Sequence, residues 1–219
     1  MRPRYDSSYY EWQRDVGRLA AAACGFLYEP YVGPRDTVLD FGCGGGFMLA
    51  RLTCGVRLGV EVNPVAREEA ARQGLAAHAS LDEVPPGSVD VIISNHALEH
   101  VEDPLAELRK MRRILRPGGR LVIVTPFERR SRWRPGDINQ HLFTWSPMNL
   151  GNLVGRAGFE VRSAEVVAHR FPPGGLALRR FLGPRLFHLL CLVWGRIYHP
   201  VTQVRVVAVA ADAPEAARP

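Results

Sequence analysis

The stretch VLDFGCGGGF, residues 38–47, decides the fold. Val38, Leu39 and Phe41 make a short apolar run suited to a strand, and Gly42, Gly44, Gly45 and Gly46 crowd in behind it. Glycines at that density weaken any regular element, because each loses more backbone freedom on folding than another residue would. After a strand they mark a sharp turn that something approaches closely. The spacing narrows the choice. A dinucleotide fingerprint, G-x-G-x-x-G, would put Phe47 at its third glycine, whereas the glycines present are Gly42-x-Gly44-x-Gly46. There is no G-x-x-x-x-G-K-[ST], which excludes a phosphate-cradling P-loop.

Outward from that turn the chain alternates. Strands are expected at 36–41, 56–61, 75–79, 88–94 and 120–126, with further strands at 159–168 and 201–210. Helices are expected at 11–28, over FMLARL (47–52), from Pro64 to about Gln73, from Pro104 to the Pro117-Gly118-Gly119 stop, and from Pro147 to about Gly158. Asn63, Asp103 and Ser146, each followed by proline, read as N-caps. Strand–helix alternation implies a doubly wound α/β fold: a mainly parallel seven-stranded sheet with helices on both faces. The last two strands, lacking a short crossover, are expected as an antiparallel pair at one edge. Residues 1–210 read as one domain, with an N-terminal helix or lid at 1–30, a helical insertion at 171–200 and a frayed tail at 211–219.

Composition sets limits. The 219 residues suffice to bury a core. The net charge of +6 is carried almost wholly by arginine, Lys110 being the only lysine, so the basic balance is weak support for a nucleic-acid partner. The four cysteines, Cys24, Cys43, Cys54 and Cys191, form no metal or redox spacing, and are expected as reduced thiols of a cytoplasmic protein. The N-terminus lacks the apolar stretch of a signal peptide. LFHLLCLVWG (186–195) is about half the length a bilayer span needs.

Four stretches in order resemble the class I S-adenosylmethionine-dependent methyltransferases of the small-molecule type: VLDFGCGGG, GVEVNP, SVDVIISNHALEHVEDP and LRKMRRILRPGGRLVIVTP. The resemblance covers roughly 36–168 and implies S-adenosyl-L-methionine as cofactor. It places Asp40, Gly42, Cys43, Gly44 and Gly46 along the cofactor's amino-acid part. Glu61, with Val62 and Asn63, falls at the ribose, and Asn95 at the end of the fourth strand. An acid near the end of the third strand would meet the adenine; Ser80 stands there, so Asp82 is the candidate. Tyr10, in a segment with Tyr5, Tyr9 and Trp12, is expected in a lid over the cofactor.

Candidate chemistry lies beyond the cofactor. A sulfonium methyl is already activated, and an acceptor hydroxyl needs at most a base. His96, after the fourth strand, and His141, in the loop after the fifth, are the candidate catalytic residues. Each has a plain packing role as its alternative. Asn139, Gln140, Phe143 and Trp145 are expected to wall the same pocket. HALEH spaces His96, Glu99 and His100 to suit a divalent metal if the segment is helical, but the expectation is no metal. Arg129, Arg130, Arg132 and Arg134, with Trp133, suggest an anionic acceptor or simply a solvated loop. The segment 171–200 suggests a core cover, a subunit contact or a membrane-surface helix. The overall expectation is a methyltransferase acting at oxygen of a small or glycan-like acceptor, with a non-catalytic cofactor-binding module and an RNA methyltransferase as alternatives. SNHA at the fourth strand differs from the Asn/Asp-Pro-Pro-Tyr type, which argues against exocyclic base amines.

Overall fold

A computed structural model describes residues 7–128, 132, 133, 135, 137, 139–169, 171–173, 175–197 and 202–211, without the side chains of 7–13, 15, 16, 176, 184, 185 and 202. The elements in chain order are α1 (Ser7–Cys24), β1 (Thr37–Phe41), β2 (Val56–Val60), α2 (Pro64–Arg72), β3 (Ala76–His78), β4 (Val89–Asn95), α3 (Pro104–Ile114), β5 (Leu115–Phe127), α4 (Pro147–Arg156), β6 (Phe159–Val167), α5 (Gly175–Ile197) and β7 (Thr202–Ala210). They form one seven-stranded sheet, ordered β3-β2-β1-β4-β5-β7-β6. β1 through β5 pair in parallel, and β7 runs antiparallel to both β5 and β6. The antiparallel pair therefore sits at the expected edge, with β7 threaded between β5 and β6.

Side-chain alternation along the strands splits the core in two. Leu39, Ile92, Leu121 and Ile123 face α3 and α4, meeting Leu108, Met111, Ile114, Leu150 and Val154. Val38, Val91, Ile93, Val122 and Val124 face the other way, against Ala21 and Cys24 of α1, Leu49 and Ala70 of α2. A strand covered on both faces has to be apolar at successive positions, which is why these runs are rich in Val, Ile and Leu.

The caps hold as read. Asn63 Oδ1 accepts from Val65 N, Asp103 Oδ1 accepts from Ala106 N, and Ser146 with Asn149 forms a reciprocal capping box. The expected helix over 47–52 is different: only Leu49–Arg51 turns, as one 3-10 turn. Nine residues separate Gly46 from the start of β2 at Val56, too few for a full helix plus the return to the sheet. α1 starts earlier than expected and stops at Cys24, before two short 3-10 turns. Within 171–200, α5 spans Gly175–Ile197 and breaks at Gly183, whose φ of 74° no helix accommodates. Among the described residues no helix is long and apolar enough to cross a membrane.

Candidate active site

The sheet reverses its order between β1 and β4, and there the carboxyl ends of the strands open into a cleft of about 820 Å³. The glycine turn is its floor. Gly42 and Cys43 both donate their N–H to the Val60 carbonyl, at 2.8 and 3.1 Å, which ties the turn to β2. Gly42 takes φ 73°, and a Cβ there would come within 2.3 Å of the Ala97 methyl. Gly46 is likewise at positive φ, 78°, and a Cβ there would press at 3.1 Å on the Ala70 Cα and on Leu75, so it also seats the turn on α2. It does not line the cleft, contrary to its expected place along the cofactor.

Glu61 follows β2 and points back at the turn. Its Oε2 accepts from Gly44 N and its Oε1 from Asn63 N, both at 2.9 Å. Burial raises its pKa, and the backbone N–H groups of Asn63 and Gly44 oppose that rise by solvating the charge. Asp40 lies beneath; burial, then the nearby Glu61 charge, pushes its carboxyl up to about 8. Val62 and Asn95 also line the cleft. Asn95 Oδ1 accepts from the fully buried Tyr28 hydroxyl, so the segment after α1 fixes the end of β4. Asn63 lines the wall, but its side-chain oxygen is committed to capping α2.

α1 covers one side. Arg14, Gly17, Ala20 and Cys24 recur at three- and four-residue steps, so one helical face meets the cleft, while Arg18 stacks over the Phe47 ring at 5.0 Å. The side chain of Tyr10, expected in a lid over the cofactor, lies outside the described residues, as do those of Tyr5, Tyr9 and Trp12.

Asp82 is corrected. It points to solvent, where it pairs with Lys110 at 2.8 Å and Arg113 at 3.3 Å of α3, and it does not reach the cleft. The hydrogen bond from Lys110 is the main reason its pKa is lowered. Ala79, Ser80, Leu81 and, across from them, Val101, Glu102 and Asp103 line that end instead. Sequence reasoning missed the last three, although the EDP cap before α3 placed them there.

His96 lies at the cleft's other end, with φ 53° and its N–H donated to the Val124 carbonyl. The Gln203 side-chain amide stands 3.0 Å from His96 Nε2 and so holds the ring from β7. Nδ1 in turn lies 3.8 Å from Glu99 Oε1. Desolvation, then the neighbouring His141 and His100, lowers the His96 pKa to about 4, although 36% of its side chain still faces the open cleft. HALEH is not a helix face: Leu98–His100 is a 3-10 turn. His141 does not line the cleft. It stands behind His100, ring edge to face at 4.9 Å, with Nδ1 2.9 Å from Glu128 Oε2.

None of Asn139, Gln140, Phe143 and Trp145 lines the cleft, contrary to expectation. Phe143 and Trp145 stack on each other at 5.4 Å and pack on the core. Of the arginine run, Arg129, Arg130 and Arg134 lie outside the described residues, and Arg132 and Trp133 are exposed away from the cleft. Phe171 and Gln203, from the segments flanking α5, were not foreseen as wall residues.

Comparison with known proteins shows the family. A methyltransferase domain family model covers residues 9–164. A ubiquinone biosynthesis O-methyltransferase of Ruegeria pomeroyi is 30% identical over 195 residues, which is 82% of this chain and 63% of that protein. An uncharacterized methyltransferase of Mycobacterium tuberculosis is 33% identical over 129 residues, 53% of this chain and 62% of that one. The chain thus spans less than two thirds of the length of these relatives. Among solved structures, a chain from the complex between the Haloferax volcanii Trm112 methyltransferase activator and a methyltransferase superposes with a TM-score of 0.68 at 21% identity, covering 93% of this chain and 98% of that chain. Geranyl diphosphate C-methyltransferase from Streptomyces coelicolor A3(2) superposes at 0.60 and 19% identity, covering 88% and 77%. The chain belongs to the methyltransferase domain family, the class I S-adenosylmethionine-dependent methyltransferases.

Proposed function

We propose that the protein moves the methyl group of S-adenosylmethionine to a hydroxyl oxygen of a small aromatic acceptor. The observation that carries this reading is the Glu61 carboxylate. Each of its oxygens accepts one backbone N–H and keeps lone-pair capacity towards the cleft. Two acceptors held side by side on one buried carboxylate suit the two adjacent hydroxyls of a ribose. The cofactor supplies a methyl already activated on sulfonium sulfur, so what remains for the protein is alignment and exclusion of water.

The chain's own residues divide that work. The backbone of Gly42–Gly45 leaves room along the floor for the amino-acid part, Glu61 holds the ribose, and Ser80 and Leu81 border the purine. α1 closes the side through Gly17 and Ala20, whose small side chains let a ligand lie close. Beyond these, Phe171 offers an apolar wall and His96 with Gln203 offers a polar terminus, a setting for a ring bearing a hydroxyl. The name of the Ruegeria relative, an O-methyltransferase, supports oxygen as the target. His96 orients that hydroxyl. A phenol with a pKa of about 10 is a poor match for an imidazole held near 4, so His96 is not the group that carries the deprotonation alone.

The test uses methyl-labelled S-adenosylmethionine with a panel of phenols, aliphatic alcohols and amines. Label on a phenolic oxygen, lost with Glu61→Ala, is the expected result. Label on amines or carbon while every phenol stays inert would overturn the reading.

A further inference from the structure

Among the described residues Glu99 is the most anomalous side chain. It is 0% exposed, and neither carboxylate oxygen has a hydrogen-bond partner. Burying such a group without partners costs several kcal/mol, roughly 2–7 even for a neutral one. Native structures pair buried polar atoms, and an orphan calls for a water or an ion. What surrounds Glu99 favours the ion. One ligand atom each from Glu99, His100 and His141 lies within 4.8 Å of the others.

We propose that Glu99, His100 and His141 form a binding site for a divalent first-row cation, zinc being the best fit, beside the acceptor end of the cleft. Two imidazoles and one carboxylate are a donor set found in catalytic zinc sites, where three protein ligands leave a position open. Tetrahedral ligands about 2.1 Å from zinc stand roughly 3.4 Å apart, so the widest separation here closes by roughly 1.4 Å, within reach of side-chain rotation.

Two further features prepare the site. His141 Nδ1 is held by Glu128 Oε2 at 2.9 Å, which leaves Nε2 as the nitrogen to ligate an ion. A carboxylate on the far nitrogen is the usual support of a metal-bound imidazole, because it fixes the ring and raises its basicity. Independently, the loop carrying His141 is fastened to Glu99 through the backbone: Leu142 N and Phe143 N both donate to the Glu99 carbonyl, at 2.8 and 3.3 Å. Ligands 42 positions apart in the chain are thereby held together before any ion arrives. The sequence spacing pointed instead to His96, Glu99 and His100. The 3-10 turn breaks that face, His96 Nε2 is engaged by Gln203, and the third ligand comes from the distant loop.

His100 lines the cleft, so the open coordination position faces the acceptor. A cation there polarises the acceptor hydroxyl and stabilises the oxyanion as its proton leaves to solvent, the contribution His96 cannot make. This role rests on the proposed methyl transfer to oxygen; the site itself does not.

The experiment uses the full chain after chelation, titrated with zinc by calorimetry and with cobalt by visible absorption. One ion per chain with the d–d bands of a four- or five-coordinate nitrogen–oxygen site is expected. Glu99→Gln and His141→Asn should each weaken binding by roughly a hundredfold, and Glu128→Gln by roughly ten- to a hundredfold. S-Adenosylhomocysteine binding, measured on the same samples, should persist and so shows the variants folded. No stoichiometric ion, or equal affinity in wild type, Glu99→Gln and His141→Asn, overturns the site. A bound ion whose removal leaves phenol methylation unchanged overturns its role. Failure of S-adenosylhomocysteine to bind the wild type would instead sink the cofactor reading and leave the metal titration standing.

Discussion

Replacing Glu61 by glutamine keeps the shape of the side chain and removes half of what it does. The carboxylate accepts from Gly44 N and Asn63 N with one oxygen each. An amide has one oxygen, so one of the two N–H groups must face an NH2 and loses its acceptor. An unsatisfied buried donor costs about 1–3 kcal/mol. For a chain of this size 1 kcal/mol moves Tm by about 2–4 °C, so a fall of roughly 6 °C is expected. The ligand side loses more. Hydrogen bonds to a charged group are worth about 1.5–3 kcal/mol each, against about 1 for neutral pairs. With one ribose hydroxyl left without an acceptor and the other bonded to a neutral one, the loss is about 3 kcal/mol, or roughly 150-fold in Kd. Calorimetric titration of S-adenosylhomocysteine into wild type and Glu61→Gln, beside thermal melts, reads both quantities. A variant that melts lower yet binds within threefold of wild type would refute the reasoning, since Glu61 would then brace the turn without touching the ligand.

Gly42→Ala drives a methyl into the Ala97 side chain at 2.3 Å from a backbone with φ 73°. Overpacking and strain together should cost roughly 3 kcal/mol or more, seen as a Tm drop near 10 °C; a drop under 2 °C would show that the turn yields easily. Asp82→Asn should leave S-adenosylhomocysteine affinity within twofold, because the carboxylate pairs with Lys110 and Arg113 in solvent; a tenfold loss would restore Asp82 to the adenine end. His169 is buried against Phe26 and His188, and burial, then His188, depresses its pKa to about 4. Its folded pKa lies below the unfolded 6.5, so the unfolded chain takes the proton first. The stabilisation is whole above pH 6.5 and is lost as pH falls towards 4, by about 3 kcal/mol. Denaturant midpoints at pH 7.5, 5.5 and 4 should therefore fall more steeply for wild type than for His169→Gln, and parallel slopes would dismiss the idea.

What the sequence revealed follows from how local each feature is. The turn at 42–46, the caps at Asn63, Asp103 and Ser146, and the acid at 61 depend on residues a few positions apart, so spacing alone exposes them. The central strands β1, β4 and β5 were legible because both their faces are buried and most of their positions are apolar. The helix after the turn failed because the distance to β2 decides it, not the composition of FMLARL. Asp82 failed because its direction is set by Lys110 and Arg113, which arrive from α3, 28 and 31 positions further along the chain. Gly46 was a glycine for packing on α2, and the pattern does not distinguish that from a glycine that faces a ligand.

The same contrast separates the two ends of the cleft. The proposed cofactor half is written in 38–63, with Glu61 and Gly44 bonded across only 17 positions. Its parts therefore form together or not at all, and a family resemblance is readable from it. The acceptor half is assembled from distant segments: His96 meets Gln203 across 107 positions, Glu99 is gripped by the loop at 142–143, and Phe171 arrives from beyond β6. Each of those contacts depends on the whole sheet being in place, through the end of β5 and the antiparallel return of β7. A substitution at Gln203 or His141 can consequently retune the acceptor end while the glycine turn and Glu61 keep their geometry. That independence is why cofactor affinity is the proper reference for every acceptor-side variant: a change that lowers methyl transfer but leaves S-adenosylhomocysteine binding intact acts on the acceptor, its proton or the cation, and not on the fold.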